Sequence, residues 1–175
     1  MTTWTVDASH SSLNFAVRHI MISKVRGRFG AFTGQAVYDD ATKAWKSAEA
    51  TVQVASIDTR EEKRDGHLKS ADFFDVEKFP TIAFKTSGVE ARGDDKFLVR
   101  GLLTMHGVTK EIALDAEITG SGKDPWGGDR TAFSARGSIS RKDFGVVWNQ
   151  VLEAGGIAVG DKVEVEMEVQ VVKEK

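Results

Sequence analysis

Apolar and polar positions alternate with a period of two along most of the chain. The C-terminal run is the clearest: Val163, Val165, Met167, Val169 and Val171 fall on one side, Glu164, Glu166, Glu168 and Gln170 on the other. Successive strand side chains point to opposite faces, so this run predicts a strand with one buried and one wet face, as in antiparallel sheets. The pattern recurs at Leu13, Phe15 and Val17; at Val25, Gly27, Phe29 and Ala31; and at Val52 and Val54. It returns at Ile82 and Phe84, at Phe97 and Val99 leading into Gly101-Leu102-Leu103-Thr104, at Ile112, Leu114 and Ala116, and at Phe133, Ala135, Gly137 and Ile139. Turn signals separate the runs at Arg92-Gly93-Asp94-Asp95 and in a loop predicted over 120–129. Many amphipathic strands in sequence predict a mainly β fold, a barrel or sandwich, in one domain over 1–175.

Helical signal is confined to the middle. Thr59 and Glu62 have capping-box spacing, which predicts a helix from about Arg60 through Arg64, with Gly66 weakening its continuation. Ser70 to Phe74 and Asp75 to Phe79 read as single helical turns, the second stopped by Pro80. Phe73, Phe74 and Phe79 would then cap one end of a barrel.

Composition narrows the function. The 175 residues suit one core, and 41% hydrophobic residues exclude disorder. A net charge of −2 gives no overall attraction to nucleic acid, so no nucleic-acid partner is expected. Zero cysteines remove disulfides, thiolate nucleophiles and cysteine-based metal sites. No transmembrane segment is expected, since no stretch approaches the ~18 apolar residues of a membrane span. Met1 to Asp7 shows neither the basic nor the apolar region of a signal peptide, which points to the cytoplasm; a chain trimmed of its signal would read the same.

Four constellations carry candidate chemistry. Small residues sit mid-row at Gly27, Ala31, Ala135 and Gly137. They leave either a dry cavity inside a closed barrel, or bulges and corners around a filled one. His10, His19, His67 and His106 show no i,i+2 or i,i+4 pairing. Asp7-Ala8-Ser9-His10 and Asp65-Gly66-His67 suggest a Ser-His-Asp or metal arrangement, but no nucleophile-elbow pattern accompanies them. Arg18, His19, Lys24, Arg26 and Arg28 form a basic cluster, either plain surface charge or a head-group clamp, because guanidinium suits phosphate. Asp143-Phe144-Gly145 and Gly120-x-Gly122 lack the partners of a kinase or a P-loop. No cofactor or metal is expected.

Several ordered motifs resemble one family. Trp4-Thr5-Val6-Asp7, Ser9-His10-Ser11, Phe15-x-Val17-x-His19 and Val25-Arg26-Gly27-x-Phe29 resemble the start of YceI-like, polyisoprenoid-binding proteins. So do Ser56-Ile57-Asp58-Thr59, then Arg64-Asp65-Gly66-His67-Leu68-Lys69-Ser70-x-Asp72-Phe73-Phe74-Asp75 and Phe79-Pro80. Gly101-x-Leu103-Thr104-x-His106-Gly107-Val108-Thr109-Lys110, Ile139-Ser140-Arg141-x-Asp143-Phe144-Gly145 and Gly155-Gly156-x-x-Val159-Gly160-Asp161-x-Val163 complete the set.

The resemblance implies an antiparallel, lipocalin-like β-barrel of about eight strands with a short helix near one end. It implies an elongated apolar tunnel for a polyisoprenoid such as a prenyl diphosphate or quinone, bound without catalysis, and by analogy a homodimer. The expected lining from the inward rows is Leu13, Phe15, Val17, Phe29, Phe84, Leu102, Phe133, Ala135, Gly137, Ile139, Val165 and Met167. Met21, Leu68, Phe74, Phe144 and Trp148 are expected near its ends. His19, Arg26 and Lys110 are the head-group candidates. The competing readings are a small hydrolase or isomerase using His19, His67 or His106, and a filled barrel acting as an interaction module.

Overall fold

A computed structural model describes residues 1–150, 152, 156 and 158–175; Gly155 of the last motif lies outside these. The alternating runs become strands β1 (Thr2–Val6), β2 (Ser12–His19), β3 (Ser23–Phe29), β4 (Phe32–Asp39), β5 (Ala44–Gln53) and the two-residue β6 (Ile57–Asp58). Helix α1 (Glu62–Lys69) follows, then β7 (Thr81–Ala91), β8 (Lys96–Met105), β9 (Val108–Lys123), β10 (Asp129–Ser140) and β11 (Val159–Lys173). All pairings are antiparallel.

The sheet closes because β11 serves two partners along one edge. It pairs with β2 through Glu168 and with β1 from Val171 onward, while β10 occupies its other edge. β1 and β2 are thus one long strand interrupted at residues 7–11. β3 and β4 are a second, interrupted at Gly30 and Ala31, and β5 and β6 a third, interrupted by the 3₁₀ turn Val54–Ser56. Counted this way the barrel has eight antiparallel staves. The three interruptions lie side by side: Gln53 N–H donates to Ala31 O and Gly30 N–H to Ser56 O. The first is sealed by the hydroxyl of Ser11, which takes the N–H of Gln170 at 3.0 Å and donates to Asp7 O at 2.6 Å.

Several expected boundaries move. Ala31 and Val54 fall in the interruptions rather than in strands. The 120–129 loop shrinks to residues 124–128, because Gly120 to Lys123 continue β9 and pair with β10. The helix begins later and runs through Gly66. Its cap is Glu61, whose carboxylate accepts from the N–H groups of Lys63 and Arg64. Thr59 does not cap: it lies three residues before the helix, and its hydroxyl, which donates to Asp65, accepts from the Arg64 side chain rather than from a helix N–H. Arg64 returns to Thr59, giving hydrogen bonds to its Oγ1 at 2.8 Å and its O at 2.7 Å. None of the described helices is long and apolar enough to cross a membrane.

The core is concentrated at the helix end. Phe29, Val52, Val54, Ile57, Phe73, Ile82, Leu103, Met105, Phe144 and Val146 form one buried cluster. At the opposite end Trp45 meets Trp4, Tyr38 and Phe133 in edge-to-face contacts, with ring centroids 5.0–5.3 Å apart. Such pairs favour edge-to-face geometry for quadrupolar reasons.

Candidate functional site

The inward rows enclose a cavity of about 840 Å³ with an almost wholly apolar wall. The barrel is therefore hollow. Val163, Val165, Met167, Val169 and Val171 all face the cavity, so along β11 alone it runs for nine residues, roughly 26 Å. Its floor includes Trp45 and Phe133, and its upper wall includes Leu68, Phe73, Phe74 and Trp148.

The inward glycines do not supply this space. A Cβ on Gly27 would lie 2.4 Å from Phe15 Cζ, and one on Gly101 2.4 Å from Phe84 Cζ. One on Gly137 would meet Leu114 Cδ2 at 2.8 Å. Each glycine is a seat in the wall on which a neighbouring side chain lies flat, leaving the axis clear.

Most of the expected lining faces the cavity: Leu13, Phe15, Val17, Phe29, Leu68, Phe74, Phe84, Phe133, Ala135, Ile139, Trp148, Val165 and Met167. Four do not. Leu102 is 46% exposed on the outer face; period two from Val99 through Gly101 selects Leu103 instead, which is buried and lines the cavity. Gly137 is covered by Leu114. Phe144 is 2% exposed in the packed core and does not line the cavity, although Arg141 of the same 3₁₀ turn does. Met21 sits exposed in the β2–β3 turn. Phe79, expected to cap the barrel, packs on His106 instead, with centroids 4.8 Å apart.

The head-group candidates also divide. His19 faces the cavity, whereas Arg26 and Lys110 stand on outward positions of β3 and β9 and do not line it. The cations that do line the helix end are Arg18, Lys63, Arg64 and the buried Arg141, with His67 beside them. Arg18 and Lys63 have no side-chain partner among the described residues, while Arg64 is held by Thr59. Arg18, His19, Ile20, Lys63 and Gln150 are both solvent-exposed and cavity-lining, which opens the cavity at the helix end; Thr33, Gln35 and Glu49 on β4 and β5 are also exposed and lining.

Trp45 and the β4 residue Ala36 also line the cavity and were not anticipated. Counting by twos back from Val52 misses Trp45 because Lys46 is an extra residue in β5: Val37 pairs with Ser47, but Tyr38 pairs with Trp45.

Residues 4–171 match the YceI-like domain. A UPF0312 protein of Staphylococcus aureus is 40% identical over 167 residues, covering 95% of each chain. The chain belongs to the YceI-like family. Among solved structures, BcnA of Burkholderia cenocepacia superposes with a TM-score of 0.81 at 23% identity, covering 94% of this chain and 98% of its own. A polyisoprenoid binding domain from Saccharophagus degradans superposes with a TM-score of 0.72 at 16% identity, covering 98% of both. At these identities the two superpositions establish the shared barrel.

The motifs that resemble YceI-like proteins serve mostly as joints of the barrel. Asp7 accepts hydrogen bonds from Ser9 Oγ at 2.6 Å and Arg130 Nη1 at 2.8 Å, with His10 Nδ1 at 2.8 Å. Those bonds, led by the Ser9 hydroxyl, hold its carboxyl well below the usual carboxylate range. The same His10 Nδ1 faces both Ser9 and Asp7, so this ring does not bridge the two through opposite nitrogens as a relay would. Arg130 also donates to Asp124 Oδ2 and Gln170 Oε1, tying the 124–128 loop to the barrel seam. His67 pairs with Asp72 at 2.8 Å and packs edge-on against Phe73 and Trp148. No cluster of three metal-ligating side chains occurs among the described residues.

Arg141 is 4% exposed and donates to Gly160 O, Val146 O, Trp148 O and Val159 O at 2.8–3.2 Å. Burial pushes its guanidinium pKa down, with Asp161 opposing the shift. It clamps the segment carrying Trp148 onto the barrel end and so shapes the cavity wall. Gly145 ends the preceding turn at φ 75°, a conformation that favours glycine.

Proposed function

We propose that this YceI-like barrel binds one long polyisoprenoid lipid without transforming it, its tail inside the barrel and its polar end at the mouth. The observation that carries this reading is the continuous apolar cavity. A dry cavity of about 150 Å³ takes one six-carbon ring, so by proportion 840 Å³ has room for about thirty carbons, or about six isoprene units. The naming of the Saccharophagus neighbour as a polyisoprenoid binding domain supports the same class of ligand.

Energetics assign the affinity to the tail. At ~0.8 kcal/mol per buried CH₂-sized group, each five-carbon unit contributes about 3–4 kcal/mol. A few units exceed the ~12 kcal/mol of nanomolar binding before the cost of ordering the chain is subtracted. A solvent-exposed ion pair from Arg18 or Lys63 to an anionic head adds roughly 0–1 kcal/mol, enough to orient the ligand.

The test is organic extraction of the purified protein followed by mass spectrometry, before and after incubation with a mixture of prenyl alcohols, prenyl phosphates and quinones. A stoichiometric prenyl lipid, recovered chemically unchanged, is the expected result. Absence of any prenyl lipid after incubation overturns the reading, and conversion of the added lipids overturns its non-catalytic part.

A further inference from the structure

The turn between β2 and β3 breaks two rules of soluble surfaces at once. Ile20, Met21 and Ile22 are 37%, 55% and 80% exposed. A hydrogen bond from Ile22 N–H to His19 O closes the turn, and both central residues have positive φ, 46° at Ile20 and 62° at Met21. Hairpin turns of this sign are normally filled by Asn and Gly, and a β-branched residue at positive φ is an outlier. Folding alone calls for a small polar pair here. Three consecutive large apolar side chains pointing into water serve something else.

Their position is informative. Ile20 lines the cavity as well as facing solvent, and its N–H bonds Ala158 O at 2.7 Å, which fixes the turn against the end of the 141–158 segment. Val147, in that segment and next to the cavity-lining Trp148, is 60% exposed. The hairpin behind the turn, residues 12–29, contains Arg18, Lys24, Arg26 and Arg28 and no Asp or Glu. Lys24 pairs with Glu164 and Arg28 with Asp58, whereas Arg18 and Arg26 have no side-chain partner among the described residues.

We infer that the β2–β3 tip docks the mouth of the barrel onto a lipid bilayer bearing anionic head groups, with Met21 and Ile22 entering the interface and Arg18 and Arg26 facing the lipid phosphates. Apolar side chains partition into the head-group boundary by burial, and nearby cations add attraction to an anionic surface. The charge pattern selects this occupant: an apolar tip backed by Arg18 and Arg26, which have no side-chain hydrogen-bond or ion-pair partner among the described residues, complements an anionic bilayer and not a neutral apolar surface. The assignment of the mouth as the bilayer-facing end rests on the cavity's being the lipid site, and gives a prenyl chain a route between bilayer and barrel that avoids water.

The test uses the full chain with sedimented vesicles of phosphatidylcholine alone, or of equal parts phosphatidylcholine and phosphatidylglycerol. The protein is expected to co-sediment with the mixed vesicles and less with the neutral ones. The double variant Met21→Ser, Ile22→Ser should lower partitioning about ten- to hundred-fold on both. Arg26→Gln should weaken binding to the mixed vesicles only, and added salt should mimic it. In parallel, both variants are loaded with a prenyl alcohol delivered from solvent, and uptake should match the parent because neither alters a cavity-lining residue. Docking without prenyl uptake would sustain this inference while removing the lipid-carrier reading. No co-sedimentation, unchanged partitioning of the double variant, or a tip-dependent dimer in light scattering without vesicle binding would overturn it.

Discussion

At the scale of single residues, what matters is where a side chain lies relative to the wall. Gly27 and Gly137 look like sites of missing volume, yet each is occupied by a neighbour, the Phe15 ring lying over one and Leu114 over the other. Substituting Gly27 should therefore act through Phe15. A Cβ there also meets Thr59 Cγ2 at 2.9 Å, so the ring has to swing toward the axis. Gly27→Ala is expected to fold, at a cost of about 1–3 kcal/mol, and to lose much of its prenyl uptake. Gly30→Ala, where a Cβ meets nothing within 4 Å, is the control and should leave uptake unchanged. Titration of both variants with one prenyl alcohol checks the pair. Equal uptake by Gly27→Ala and the parent would mean that the ring does not guard the lumen.

At the scale of elements, the broken strands carry the weak points and the joints that repair them. The Asp7–Arg130–Asp124 network holds the first interruption and the 124–128 loop together, and both carboxyls sit below their usual range. For Asp124 the leading cause is the N–H of Gly128, followed by Arg130. A carboxyl whose folded pKa is depressed contributes stability that is complete above its unfolded value, near 3.9, and is lost as pH falls toward the folded value. Denaturant midpoints are thus expected to hold steady from neutrality to about pH 4 and to decline below it. Asp7→Asn should start from a lower midpoint and decline less steeply. The same steepness in parent and variant would show that this joint does not govern acid stability. The helix shows the same dependence on neighbours: Thr59 has the spacing of a cap, but its hydroxyl donates to Asp65 and accepts from the Arg64 side chain, and Glu61 takes that role.

At the scale of the whole molecule, closure of eight staves around a clear axis creates a long apolar space, and the two ends differ. One is floored by Trp45 against Phe133, Trp4 and Tyr38; the other carries the helix, the cations and the exposed tip. The floor should set the longest chain that fits. Trp45→Ala is expected to cost about 3 kcal/mol of stability and to shift the retained lipids toward chains longer by about one isoprene unit. Competitive loading with a ladder of prenyl alcohols, read by mass spectrometry, checks this. An unchanged length distribution would place the limit elsewhere.

Period-two alternation was enough to predict a mainly β, antiparallel fold, and most of the inward rows from β2 to β11, because which face a side chain takes follows from local backbone geometry alone. It failed at Trp45, where one bulged residue resets the count; at Leu102 hydrophobicity alone misleads, since alternation itself puts Leu103 inside and leaves this apolar residue facing outward. Whether the interior is empty, which cations reach the mouth and where the apolar tip stands were decided only by the closed barrel. Those properties depend on what lies across the axis or on a neighbouring strand, and such distances appear only when residues far apart in sequence, such as Phe15 and Gly27 or Leu114 and Gly137, are brought face to face.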